Sequence, residues 1–105
     1  MLTEDKKRTA HKALLKRILE GDGTAPRAQR RAAFDNAGLA APLTTLINKV
    51  AKHAYKVTDA DITATKAAGF SEDQIFELVV CAAVGQATRQ YETALAALDA
   101  VPGKE

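Results

Sequence analysis

The 26 residues from Glu72 to Ala97 contain no proline and open on Ser71 with Gln74 three positions later. That S-x-x-Q spacing is a capping box, in which the serine hydroxyl and the glutamine side chain each satisfy one backbone donor of the first helical turn. At about 1.5 Å per residue the helix would be about 39 Å long. A compact chain of this size has a radius of gyration of about 13 Å, so the helix must cross the whole molecule. Its first half is also apolar on too many sides. Ile75, Phe76, Leu78, Val79, Val80, Cys81, Ala82, Ala83 and Val84 cover far more than the roughly 100° stripe of an ordinary surface helix. Two arrangements satisfy such a rod: a second subunit covers it, or the other helices of the chain wrap it. The expectation is a homo-oligomer with this helix near the interface, because an exposed apolar patch of that extent marks an interaction surface. Ala82, Ala83, Gly85 and Ala87 would let another helix approach closely.

The rest of the chain reads as shorter helices. Leu14, Leu15, Ile18 and Leu19 share one face of a helix from Thr3 to about Leu19, with Lys6, Lys7, Lys12, Lys16 and Arg17 on the other side and Gly21-Asp22-Gly23 as its stop. A second helix follows Thr24, a candidate cap, with Pro26 in its first turn, and runs to about Ala37 before Gly38. Arg27, Arg30 and Arg31 form an i, i+3, i+4 basic cluster on it, while Ala33 and Phe34 face inward. Pro42 opens a third helix to about Tyr55, with Leu43, Leu46, Ile47, Val50 and Ala54 as its apolar stripe. Thr58 caps a short fourth helix, with Asp61 completing the box and Gly69 ending it. Pro102-Gly103-Lys104-Glu105 reads as a frayed tail. The predicted fold is therefore all-α, about five helices in a single domain over 1–105.

Charge is unevenly divided. Residues 1–31 hold nine Lys/Arg against four Asp/Glu, a balance of +5, whereas residues 32–105 hold six against nine, a balance of −3. The basic third is either a solvated helix face or a surface for nucleic acid or an acidic partner; nucleic acid is not the partner expected. One cysteine, Cys81, excludes an internal disulfide and any C-x-x-C couple. The N-terminus is charged from Glu4 onward and lacks the apolar core of a secretory leader, and no apolar run reaches the ~18 residues of a membrane span. A cytoplasmic protein with no membrane association is expected.

The run VTDADITATKAAGFSEDQIFELVVCAAVGQA resembles the second half of the carboxymuconolactone decarboxylase-like domain, which includes alkylhydroperoxidase D. A short helix ending in A-A-G, the S-E-D-Q-I restart and a long apolar helix beginning F-E-L-V-V carry the likeness over about residues 42–98. Residues 1–40 then stand as an additional N-terminal helical arm. The resemblance implies an all-helical fold that assembles as trimers, hexamers or related rings. In the redox-active branch the short helix carries Cys-x-x-Cys-x-x-x-His, with a glutamate upstream. Counted back from Gly69, those positions fall on Ala54, Val57 and Asp61, and no glutamate occurs between Glu20 and Glu72. A disulfide relay needs two sulfurs and a proton shuttle, so thiol peroxidase action is not expected. The decarboxylase branch works without cysteine, through polar groups around a subunit-interface pocket.

The weak candidates for such chemistry are His53, Tyr55 and Asp61, with Lys56 beside them. His53 could serve as a general acid or base or simply sit as a polar helix-end residue near the last carbonyls. Asp59 and Asp61 could border a pocket or act as favourable first-turn charges. His11 reads as a surface residue of the basic helix, and Cys81 as a small buried hydrophobe. Glu77 and Arg89 are too far apart along the long helix to meet within it. No metal cluster, phosphate loop or Ser-His-Asp arrangement is present, so no cofactor and no metal are expected. Three functions stand open: an oligomeric member of this family without thiol chemistry that binds a small organic ligand or does no catalysis; a cysteine-independent lactone decarboxylase or isomerase; and an adaptor using Lys6–Arg17 and Arg27–Arg31.

Overall fold

The computed structural model describes residues Leu2–Val101, with side chains from Lys6 onward. Five α-helices follow one another as α1 (Leu2–Glu20), α2 (Arg27–Asp35), α3 (Leu43–His53), α4 (Asp59–Ala67) and α5 (Glu72–Asp99), with a 3₁₀ turn at Ala54–Lys56 between α3 and α4. No strand occurs among the described residues. The tail at Pro102–Glu105 lies outside them.

Both capping boxes form. Thr58 accepts from the Asp61 amide and Asp61 returns to the Thr58 amide at the head of α4, and Ser71 and Gln74 do the same at the head of α5. Gly69 between them has φ +107°, a conformation open to glycine and strained for other residues. The ends of α2 differ from expectation. Pro26 occupies the N-cap position, and Thr24 does not cap, because its amide and hydroxyl both donate to Glu77 of α5 at 2.9 and 3.0 Å. The stop is Asn36, left-handed at φ 52°. The Ala37 amide donates to the Ala32 carbonyl and the Asn36 amide to the Ala33 carbonyl, the double closure of a Schellman motif. Helix α3 ends at His53, short of Tyr55, where the chain tightens into the 3₁₀ turn. Gly21 is not a left-handed stop; a Cβ there would overlap the carbonyl oxygen of Arg17.

The core gathers Leu19, Ala25, Ala33, Phe34, Leu43, Ile47, Leu78, Cys81 and Ala82, drawn from α1, α2 and its approach, α3 and α5. Helix α2 crosses α5 at Gly85, where a side chain would run into the backbone of Phe34. The small residues of α5 thus permit a close approach inside the chain, by α2. Helix α1 runs antiparallel to α5: the Ile18 carbonyl lies 3.7 Å from the Cys81 sulfur, and His11 lies beside Thr88 at 3.1 Å.

Two buried or half-buried arginines close helix ends that would otherwise leave bare carbonyls. Arg30 is 5% exposed and donates to the carbonyls of Ala25, Ile18 and Gly21, sealing the end of α1. It leaves the basic cluster with Arg27 and Arg31, which stay exposed. Arg89 donates to the Phe34 carbonyl at the end of α2.

The first half of α5 is partly wrapped: Ile75, Leu78, Cys81, Ala82, Gly85 and Thr88 are buried. Phe76 and Ala83 remain exposed and Val79, Val80 and Val84 half-buried. Beyond Arg89, only Leu95 is more than superficially covered. At 28 residues the helix is about 42 Å long. With α1 alongside, it stretches the molecule to 54 × 28 × 20 Å and its radius of gyration to 16.0 Å, above the roughly 13 Å of a compact chain of this length.

Candidate functional site

The turn from α3 into α4 holds the positions that the family likeness singles out. Thr58, in extended backbone, points its hydroxyl at the opening turn of α4, so Asp61 falls at the third helical position with its carboxylate turned back toward the cap. Asp61 accepts from the Thr58 amide at 2.9 Å and from the Lys49 ammonium at 3.0 and 2.9 Å. Its own carbonyl accepts from the Thr65 hydroxyl at 2.9 Å. The Lys49 bond, followed by the Thr58 amide, holds the Asp61 carboxyl below its ordinary value. A carboxylate so engaged is ionised and has few remaining sites to offer. Asp61 thus completes the capping box of α4 and, through Lys49, joins it to α3.

His53 and Tyr55 sit just before this junction. Their rings meet edge to face with centroids 6.0 Å apart, the Lys56 ammonium lies 6.0 Å from the Tyr55 ring, and Tyr55 is 81% exposed. The structure brings His53 next to Tyr55. It does not turn either toward Asp61 as a hydrogen-bond partner, and the cleft formed by α1, α2 and α5 is lined by other residues.

Cys81 is buried, with burial pushing its thiol above the ordinary cysteine value. A thiol in that state is a poor nucleophile. Its thiol donates weakly to the Ile18 carbonyl at 3.7 Å.

Three residues have roles the sequence does not reveal. His11 is half-buried: Nε2 is 3.1 Å from the Thr88 hydroxyl, and the ring lies 6.1 Å from that of Tyr91. It docks α1 on α5 and is not a plain surface residue. Glu77 accepts from the Thr24 amide, the Thr24 hydroxyl and the Ala25 amide, donors of the segment leading into α2. The Thr24 amide first, then the Ala25 amide, lowers its carboxyl from the ordinary value. Gly23 is part of this arrangement, since a Cβ there would press into the Glu77 carboxylate. Arg30 is the third. Spacing shows that these residues lie on helices but not which loops fold back over them. The one local hint is Gly23-Thr24 after α1, a segment short of side chains and rich in free amides.

Among the described residues no group of three or more His, Cys, Asp or Glu side chains converges as a metal site, and no helix is long and apolar enough to cross a membrane. No family model, curated protein or solved structure matches the chain.

Proposed function

We propose that the chain is a carboxymuconolactone decarboxylase-like protein without thiol chemistry, which self-assembles and presents a small-ligand or purely structural surface at the junction of its subunits. Asp61 carries this reading. At the position where the redox branch keeps its histidine stands a carboxylate bound to Thr58 and Lys49, preceded by Ala54 and Val57 where that branch keeps its cysteines. The remaining thiol is buried away from this turn. Assembly is supported by α5, whose Phe76 is 69% exposed beside half-covered valines and whose Leu98 is 53% exposed. The protein would act in the cytoplasm.

Peroxide consumption with a dithiol reductant tests the chemical half of the reading. Wild type and Cys81→Ser should be equally inactive above the reductant blank. Turnover by wild type that disappears in Cys81→Ser would overturn it.

A further inference from the structure

On the side of the molecule formed by α1, α2 and α5 lies a cleft of about 530 Å³, within the roughly 300–1,000 Å³ range of small-molecule sites. Its floor is apolar: Leu19 and Phe34 are each 8% exposed, and Leu15 packs on the same core cluster. Cations from all three helices line it, namely Lys12 and Lys16 one turn apart on α1, Arg31 on α2 and Arg89 on α5.

Two of these cations are fixed in place. Arg89 donates to the Phe34 carbonyl and, at 3.1 Å, to Gln86, and its guanidinium has no carboxylate partner among the described residues. Arg31 stands with its guanidinium carbon 5.5 Å from the Phe34 ring centroid and is neutralised by Asp35 at 3.2 Å. Lys12 and Lys16 form no ion pair among the described residues. Glu20 and Glu92 also line the cleft, as does Asp35, the partner of Arg31; their charge disfavours a polyanion while leaving a single carboxylate acceptable.

We propose that this cleft binds a small monoanionic organic acid, its carboxylate held by Arg89 with Lys12 and Lys16 and its apolar body laid on Leu15, Leu19 and Phe34. The planar guanidinium matches a carboxylate edge, and a site of this build derives affinity from the apolar floor and selection from the charge. Helices α1 and α2 lie outside residues 42–98, so the cleft does not depend on the family reading and either can fail alone.

The test is titration of the full chain with naphthoate, followed by backbone amide shifts and repeated with neutral naphthamide and with naphthalene dicarboxylate. Saturable shifts at Leu15, Phe34 and Thr88 are expected, with a millimolar or tighter dissociation constant for a ligand of this size. Naphthamide should bind about tenfold more weakly, and the dicarboxylate no more tightly than naphthoate. Because Arg89 also closes α2, the variant used is Lys12→Ala/Lys16→Ala. It should lose about tenfold in naphthoate affinity with an unchanged helical spectrum. Equal binding of naphthoate and naphthamide, tighter binding of the dicarboxylate, shifts confined to other faces, or full affinity in the double variant would each overturn the proposal.

Discussion

Glu77 ties the segment leading into α2 to α5. Its carboxylate holds the Thr24 and Ala25 amides at 2.9 and 2.8 Å, bonds to a charged acceptor that are worth about 1.5–3 kcal/mol each. Glu77→Ala should lower unfolding free energy by about 2–3 kcal/mol in urea denaturation. The same bonds depress its folded pKa, so the stability it contributes is present above the unfolded glutamate value of about 4.3 and is lost as pH falls below it through the folded value. Asp61, lowered chiefly by Lys49 and then Thr58, acts in the same direction. Urea midpoints measured from neutral pH down to about pH 3 should therefore fall for wild type and fall less steeply for Glu77→Gln; parallel curves would remove this account of Glu77. Nothing in the sequence around Glu77 indicates its role, because its partners lie 52 and 53 positions away. His11 is hidden for the same reason, its Thr88 partner lying 77 positions on; the carbonyls that Arg30 meets are nearer in sequence, but only the path of the chain after α1 brings them to it. Helical spacing assigns a residue to a face, but only the loop after α1 and the antiparallel α5 decide that those faces are covered.

Elements whose signals are local were legible. The Thr58–Asp61 and Ser71–Gln74 boxes are three-residue features, and both helices begin where those boxes place them. Thr58→Ala should cost about 1 kcal/mol, the usual loss for an N-cap oxygen, read as a drop in urea midpoint with an unchanged slope. The ends of α2 are less legible: Thr24 is drawn to the distant Glu77 and leaves the cap to Pro26, and Asn36 takes the left-handed stop ahead of Gly38 through a local double closure. The long helix gave the largest lesson in packing. Its small residues signalled a close helix–helix approach, and Gly85 meets Phe34 of the same chain. Gly85→Ala must push α2 off α5 and should destabilise by about 3 kcal/mol, at the upper end of overpacking costs, with a matching drop in melting temperature. A neutral Gly85→Ala would show that the α2–α5 crossing is looser than described.

At the scale of the whole molecule, the all-helical class is legible from capping boxes, helical spacing of apolar residues and the glycine and proline punctuation between them. The placement of His53, Tyr55 and Asp61 was not, since a sequence cannot show whether a polar turn faces a cleft or solvent. In one chain His53 and Tyr55 are exposed and Asp61 is engaged in holding α3 to α4. The shape also follows from the long helix: a 54 Å molecule with Phe76 and Leu98 of α5 exposed leaves apolar surface that a single chain does not cover. Association through α5 is the step from which the functional proposal proceeds. Light scattering on the purified chain, run with Phe76→Asp alongside, measures it most directly. The account predicts that wild type has a multiple of the 11.2 kDa chain mass and that Phe76→Asp shifts toward the monomer while keeping its helical content. A wild-type mass equal to one chain at every concentration measured would contradict it.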